Sequence, residues 1–224
     1  MAMNQLLLGI GLRDNVSFSN FYPAKNHQAV QALQLVDETF IYLWGSSGSG
    51  KSHLLQALCQ DIAEQGQAVA YLPLAEESMA PQMLEGMEAM SLLAIDDLDQ
   101  IAGNVEWETA LFHLYNRMRD AGGRLLVAAR VAPAALPVQL PDLASRLSYG
   151  LTLQLHELND EEKLKLLQLR AGNRGFDLPD EVANYLLKRC ERDMDSLIQL
   201  LDKLDSATME AQRKLTIPFV KSLF

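Results

Sequence analysis

The sequence predicts an α/β fold in which a parallel sheet flanked by helices is followed by a small helical domain. Apolar, β-favouring runs alternate with helical patterns up to residue 155, which is typical of a parallel sheet. A glycine-rich loop joins the first of these runs to an amphipathic helical pattern. Beyond residue 155 no strand pattern is evident, and helical patterns follow one another.

The glycine-rich loop has the spacing G-x-x-x-x-G-K-S over residues 45–52. Its glycines let backbone N–H groups approach an oxyanion, and the N-terminus of the following helix favours negative charge. Lys51 would place its charge on the β and γ oxygens, and the Ser52 hydroxyl would ligate Mg²⁺. The predicted phosphate-binding residues are Gly45, Ser47, Gly48, Ser49, Gly50, Lys51, Ser52 and His53.

A second part of a phosphate site is predicted at the end of the third strand. The run of residues 91–97 is apolar and ends in Asp96 and Asp97, and Asp96 would hold Mg²⁺ through water opposite Ser52. The predicted strands are residues 40–44, 68–72, 91–97, 124–129 and 151–155. The predicted helices between and around them are residues 26–35, 53–63, 81–90, 106–121 and 142–147.

Three aromatic side chains precede the loop, and two interpretations of them stay open. Phe18, Phe21 and Tyr22 could pack near a nucleotide base, or they could be part of the core. Because the loop itself contacts only phosphates, the sequence leaves the identity of the base undetermined.

The character of the chain changes near residue 157. Asn159 followed by Glu162 has the pattern of a capping box. Helices are predicted after it over residues 163–171, 180–190 and 194–209, with a short one ending at residue 224. We therefore expect an N-terminal tail over residues 1–15, an α/β domain over residues 16–156 and a helical domain over residues 157–224.

The composition narrows the class of protein. The chain has 224 residues, 49% of them hydrophobic, which is enough for a substantial core. The net charge of −10 disfavours non-specific DNA binding, which needs Lys and Arg on phosphates. Cys59 and Cys190 lie beside leucines in helical patterns and are predicted to be buried free thiols. No run is long enough to span a membrane, and no signal segment is evident, so we expect a cytoplasmic protein.

The tail contains an unusual apolar segment on a short polar stretch. Its residues are Gln5, Leu6, Leu8 and Ile10, together with Leu7 and Gly9. Two interpretations are open: a segment that packs on its own domain, or a short linear motif that docks in the groove of a partner.

Several stretches resemble one known family. They are Phe-Ser-Asn-Phe at residues 18–21, Gly-Lys-Ser-His-Leu-Leu at 50–55, Ala-Ile-Asp-Asp at 94–97, Tyr-Asn-Arg at 115–117, Leu-Pro-Asp-Leu-Ala-Ser-Arg-Leu at 140–147 and Lys-Leu-Thr-Ile-Pro-Phe-Val-Lys at 214–221. With the helical domain acting as a lid, these resemble the AAA+ NTPases, and within them the family of the bacterial replication initiator DnaA. The last three stretches are most similar to the shorter, Hda-type members.

The resemblance implies roles for individual residues. Arg146 matches the arginine finger, which acts in trans on the nucleotide site of a neighbour, and Arg192 matches the sensor 2 arginine of the lid. Phe21 and Tyr22 would lie near the base. The segment with Gln5, Leu6, Leu8 and Ile10 is similar to a sliding-clamp-binding motif. The implied cofactors are an adenine nucleotide, ADP, and Mg²⁺.

The resemblance also implies a function, with two alternatives. The family member expected here is a nucleotide-bound regulator that stimulates ATP hydrolysis by DnaA, together with the DNA-loaded sliding clamp (the β subunit of DNA polymerase III), and so represses re-initiation. One alternative is a stand-alone AAA+ ATPase that remodels or loads a replication partner, but Ala129-Arg130 in the sensor 1 region and Asp97 in place of the usual Glu point to weak intrinsic hydrolysis. The other is a DNA-binding adaptor. A finger and a nucleotide site on one chain also permit homo-oligomers.

Overall fold

The computed structural model describes residues 16–35, 38–189, 194–211 and 215–223. The chain divides into two compact units, Met1–Glu157 and Leu158–Phe224. Each unit has a hydrophobic core of its own.

A five-stranded, fully parallel sheet forms the centre of the first unit. Its strands are β1 (Phe40–Trp44), β2 (Val69–Pro73), β3 (Leu92–Asp96), β4 (Arg124–Ala129) and β5 (Leu151–Gln154). The order across the sheet is β2-β3-β4-β1-β5. The predicted fold class, a parallel α/β sheet with a helical C-terminal domain, is confirmed.

The register brings the carboxyl ends of the strands to one edge of the sheet. Trp44 of β1 lies opposite Ala129 of β4, and Pro73 of β2 lies opposite Asp96 of β3. The glycine-rich loop after β1 and the acidic residues after β3 therefore lie on the same edge, where ligands of parallel α/β sheets bind.

Helices cover both faces of this sheet, because its strands are apolar on both sides. They are α1 (His27–Leu35), α2 (Lys51–Glu64), α3 (Val105–Ala121) and α4 (Pro141–Ser148). Leu33 of α1 and Leu54 of α2 belong to the core on one face, whereas Leu111 of α3 and Leu143 of α4 belong to the core on the other.

The predicted helix over residues 81–90 is wrong in type. This stretch forms two short 3₁₀ turns, Pro81–Leu84 and Met87–Ala89. Gly86 lies between them with φ 78°, a left-handed conformation that ends one turn before the next begins.

The second unit is helical throughout the part that the structure describes. Its helices are α5 (Asp160–Asn173), α6 (Asp180–Arg189), α7 (Met194–Ala211) and α8 (Ile217–Leu223). Helix α5 begins with the predicted capping box, in which the Asn159 side chain accepts from the Glu162 N–H and the Glu162 carboxylate accepts from the Asn159 N–H. The core of this unit contains Leu167 of α5, Leu186 of α6, Leu201 of α7 and Leu215, which lies just before α8.

Cys59 is a buried free thiol, as predicted, and burial raises its pKa to about 12. Cys190 lies outside the described residues. None of the helices in the described ranges is long and apolar enough to cross a membrane.

Candidate functional site

The glycine-rich loop connects the end of β1 to the start of α2. The Gly45 N–H donates to the Ala129 carbonyl at 3.2 Å, so the loop leaves the sheet beside the end of β4. Gly48 and Gly50 have φ of 76° and 94°, conformations that favour glycine. A Cβ on Gly50 would lie 2.6 Å from a ring carbon of Phe21. Glycine is thus favoured at positions 48 and 50 by the backbone conformation, and at position 50 also by the close contact with Phe21.

Lys51 is buried, and its ammonium group is held by the loop. Its Nζ donates to the carbonyls of Gly45 and Ser46 at 2.8 and 2.9 Å. Burial lowers the pKa of Lys51, while the carboxylates of the neighbouring acidic residues, Asp96 first, act against that shift. The positive charge of Lys51 is therefore placed inside the curve of the loop and close to the acidic end of β3.

Asp96 is buried at the end of β3, and both of its carboxylate oxygens accept hydrogen bonds. Oδ2 accepts from the Tyr71 hydroxyl at 2.8 Å, and Oδ1 accepts from the Asp97 N–H at 2.9 Å. The Gln56 side chain also hydrogen-bonds to the Tyr71 hydroxyl. Burial, and then the charge of Asp96, raises the pKa of Tyr71, so this hydroxyl stays a donor. The carboxylate is thereby fixed in orientation.

The residues after Asp96 form a tight acidic turn against the end of β4. Asp97 has φ 55° and ψ 42°, a left-handed conformation that is uncommon for residues other than glycine and asparagine. Burial, and then the charges of Asp96 and Asp99, raises the pKa of Asp97. Asp99 accepts from the Arg130 N–H at 2.9 Å and pairs with its guanidinium at 3.4 Å. The expected sensor 1 position is thus occupied by an arginine paired with an aspartate.

The residues present fit the phosphates of a nucleotide. The Ser49 hydroxyl is buried and has no hydrogen-bond partner among the described residues, so it can donate to a bound oxyanion. Ser52, in the first turn of α2, is exposed, so it is accessible to a metal ion. No cluster of three or more acidic, histidine or cysteine ligands occurs in the described ranges, so Mg²⁺ would depend on Ser52, on water held by Asp96 and on the phosphates themselves.

The aromatic segment before α1 packs against the first turns of α2. The rings of Phe21 and His53 are 5.3 Å apart, and His53 Nε2 lies 2.9 Å from the Ser17 carbonyl. Tyr22 is partly buried. Phe21 and His53 therefore lie beside Gly50, at one end of the loop, and Phe21 also packs against the core beneath the sheet.

The structure places Arg146 on α4, where it contacts Tyr115 of α3. Its guanidinium carbon lies 5.7 Å from the centroid of the Tyr115 ring, in cation–π contact. The side chain is partly exposed, and it forms no ion pair or hydrogen bond with any residue in the described ranges. The guanidinium N–H groups of Arg146 therefore have no acceptor among the residues that the structure describes.

Some predicted site residues lie outside the described residues: Arg192 of the lid and the tail residues Gln5, Leu6, Leu8 and Ile10. Conversely, sequence reasoning missed Tyr71, Gln56 and Glu108. Glu108 had a detectable signal, because it lies three residues before Leu111 and seven before Tyr115, on the stripe of α3 that faces the core. A carboxylate in that stripe indicates a buried polar contact.

Two family models match successive parts of the chain. The model of the bacterial DnaA ATPase domain matches residues 12–154, and the model of the Hda lid domain matches residues 160–224. With the parallel sheet and the phosphate-binding loop, these matches define the class of protein: a DnaA-related AAA+ protein. The chain belongs to the bacterial DnaA ATPase-domain family. Its lid is of the Hda type, so within that family the chain is close to Hda.

Solved structures show the same fold. Domain III of the Thermotoga maritima replication initiation protein DnaA has a TM-score of 0.77 at 20% identity, covering 96% of this chain and 97% of that one. AMPPCP-bound DnaA from Aquifex aeolicus has a TM-score of 0.71 at 22% identity, covering 89% of this chain and 68% of that one. The Thermotoga maritima RuvB Holliday junction branch migration motor has a TM-score of 0.65 at 18% identity, covering 93% of this chain and 68% of that one.

Proposed function

We propose that this protein is a nucleotide-bound regulator that stimulates ATP hydrolysis by DnaA in trans, together with the DNA-loaded sliding clamp. In this proposal the phosphate loop holds an adenine nucleotide, ADP, with Mg²⁺ at Ser52 and, through water, at Asp96. Arg192 and the aromatics Phe21 and Tyr22 would complete the nucleotide site. The nucleotide sets the conformation of the protein, and hydrolysis takes place on the ATP of the partner.

The nucleotide part of the proposal is supported by the loop geometry. Lys51 and the left-handed glycines converge on one edge of the sheet with the Ser49 hydroxyl, which has no partner in the described part of the chain. A DnaA of the same fold was solved with AMPPCP, an ATP analogue. A helix N-terminus, a lysine and a glycine loop together are the arrangement that binds phosphoryl oxygens.

The observation that carries the trans-acting part is the state of Arg146. Its guanidinium is partly exposed, rests on an aromatic ring and has no counter-ion in the described part of the chain. A guanidinium with unused donors can bind the γ-phosphate oxygens of a neighbour and stabilise the charge that develops as the phosphoryl group transfers. In other systems such a residue raises the rate by about 10³–10⁵.

The clamp would be engaged by the tail residues Gln5, Leu6, Leu8 and Ile10. In that arrangement the Gln is recognised by hydrogen bonds, and the leucines and isoleucine fill an apolar groove. Binding to a clamp loaded on DNA would raise the local concentration of the protein near DnaA. The consequence is DnaA in its ADP form and repression of re-initiation, in the bacterial cytoplasm where the chromosome lies.

The proposal is tested by measuring ATP hydrolysis by DnaA with clamp loaded on DNA, with and without this protein. We expect stimulation that needs the clamp and is lost in Arg146→Ala. Arg189→Ala is the matched control, since Arg189 makes the same cation–π contact with Tyr185 at 5.7 Å in the other unit. Equal stimulation by the Arg146→Ala variant would rule out the finger mechanism.

A stand-alone AAA+ ATPase is the second candidate, and one observation favours it. Lys51, Ser52 and Asp96 are all present, and Lys51 is electrostatically coupled to Asp96. Steady ATP turnover by the isolated protein, abolished in Lys51→Ala, together with no effect on DnaA, would support this second candidate over the first.

Homo-oligomers, in which Arg146 of one copy meets the nucleotide site of the next, would appear as concentration-dependent sedimentation that Arg146→Ala reverses.

A further inference from the structure

Glu108 is a fully buried carboxylate that binds three backbone N–H groups. It accepts from the Gly103 N–H at 2.7 Å, from the Gln139 N–H at 2.9 Å and from the Leu140 N–H at 2.8 Å. Two of these donors belong to the residues immediately before α4, and Leu140 is the N-cap of that helix. Glu108 therefore ties the start of α4 to α3 by charge-assisted hydrogen bonds, the stronger kind in proteins.

Tyr115 contacts α4 at a second point, two helical turns further along α3. Its ring is buried and packs edge-on against Phe40 of β1, with centroids 5.1 Å apart. The Arg146 guanidinium lies over this ring. The ring is thus fixed by the sheet on one side and supports the guanidinium on the other.

We infer that Glu108 and Tyr115 are positioning residues for Arg146. Helix α3 holds the two residues just before α4 through Glu108 and holds the guanidinium itself through Tyr115, so that the donors of Arg146 are set before a partner binds. This inference rests on the proposed function, because it assigns the residues that place the finger. Groups fixed before reaction lose less entropy on reaching the transition state, and a displacement of about 1 Å costs roughly 100-fold in rate.

The carboxylate is required because its contacts are all donors. A glutamine at position 108 keeps one acceptor oxygen but turns an NH₂ group toward backbone N–H groups, so at least one of the three donors loses its acceptor. The N-terminal end of α4, at its N-cap Leu140, would then shift. Tyr115→Leu removes the platform for the guanidinium, whereas Tyr115→Phe keeps the ring.

The test measures DnaA ATP hydrolysis with loaded clamp against the concentration of this protein, which separates the plateau rate from the half-saturating concentration. For Glu108→Gln and Tyr115→Leu we expect a plateau at least about 10-fold lower with a half-saturating concentration within about 3-fold of the parent. Glu106→Gln, an exposed glutamate on the same helix, and Tyr115→Phe are expected to keep the parent plateau. Thermal melting and ADP affinity are measured for each variant.

The outcomes separate this inference from the proposed function. If Arg146→Ala stimulates as well as the parent, the proposed function fails and the inference with it. If Arg146→Ala is inactive while Glu108→Gln or Tyr115→Leu keeps the parent plateau, the positioning role of that residue is overturned and the proposed function stands. A merely structural role would lower the melting temperature and leave the plateau of the folded protein unchanged. If Glu108→Gln fails to fold, the comparison of Tyr115→Leu with Tyr115→Phe decides whether α3 positions Arg146.

Discussion

The side chain of Lys51 is held inside the phosphate-binding loop, and its removal should be felt first in nucleotide affinity. Lys51→Ala deletes a charge that is buried among two carbonyls and that no other lysine replaces within the described loop. Hydrogen bonds to charged groups contribute about 1.5–3 kcal/mol, so we expect ADP to bind about 10-fold to 100-fold more weakly. Isothermal titration calorimetry measures this. Lys25→Ala, on an exposed lysine, is the control, and an unchanged Kd in Lys51→Ala would contradict the assigned role.

Asp97 offers a test of the electrostatics at the same edge of the sheet. Its pKa is raised in the folded protein by burial and then by Asp96 and Asp99, so the charged form is disfavoured in the fold. As pH rises from the unfolded pKa toward the folded one, the unfolded chain releases its proton first, and stability falls. Asp97→Asn should therefore raise the melting temperature at pH 7 by a few degrees, and asparagine also tolerates the left-handed backbone.

The pH dependence separates this explanation from a packing effect. Below the unfolded pKa both states carry a proton on Asp97, so the difference between parent and Asp97→Asn should vanish on acidification. Melting curves followed by circular dichroism between pH 3 and pH 7 measure it. A stability gain that is equal at all these pH values would contradict the electrostatic origin.

At this scale the sequence located the loop between β1 and α2, because G-x-x-x-x-G-K-S carries its chemistry in consecutive positions. The side chains that orient the site residues could not be predicted from the sequence. Tyr71 meets Asp96 only because β2 and β3 are adjacent in the sheet, and no local pattern contains that pairing. Glu108 was detectable as a charge in an apolar stripe, but its partners, 31 and 32 residues later, were not.

Among the elements, the segment before α1 is attached to the end of the sheet through one side chain. Buried Asn26 donates to the His156 carbonyl at 2.9 Å and accepts from the His156 N–H at 2.8 Å. Asn26→Ala leaves both backbone groups without partners, at about 1–3 kcal/mol each. We expect the melting temperature to fall by about 5–10 °C. Gln28→Ala, an exposed residue of α1, should change it little, and a similar loss in both variants would contradict the assignment.

Elements were predictable where their signals are local. All five strands and the helices of both units follow from periodicity, and the capping box follows from Asn159 and Glu162. The strand order β2-β3-β4-β1-β5 was not predicted, because it depends on contacts between distant segments. The stretch of residues 81–90 failed for a local reason: Gly86 adopts a conformation that a helical pattern does not reveal.

For the whole molecule, the negative net charge favours a regulator that reaches DNA through a partner over one that binds DNA directly. The chain has 19 Lys and Arg against 29 Asp and Glu, a net charge of −10. DNA binding by contacts to phosphates requires basic groups that release counterions, and non-specific binders reach Kd values of about 10⁻⁴–10⁻⁶ M at physiological salt. We expect the isolated protein to bind duplex DNA more weakly than about 10⁻⁴ M, measured by fluorescence anisotropy.

The loaded clamp should change this result without any new contact to DNA. Because the tail residues Gln5, Leu6, Leu8 and Ile10 are proposed to bind the clamp, the protein should be retained on DNA that carries a clamp, and replacing Gln5 and Leu6 with alanine should abolish retention while leaving ADP affinity unchanged. The tail variant is thus the counterpart of Arg146→Ala: it removes recruitment and keeps the finger.

At a concentration of protein high enough to replace recruitment, the tail variant should regain stimulation of DnaA, whereas Arg146→Ala should not. Micromolar affinity of the isolated chain for bare DNA, weakening steeply with salt, would instead favour the DNA-binding adaptor.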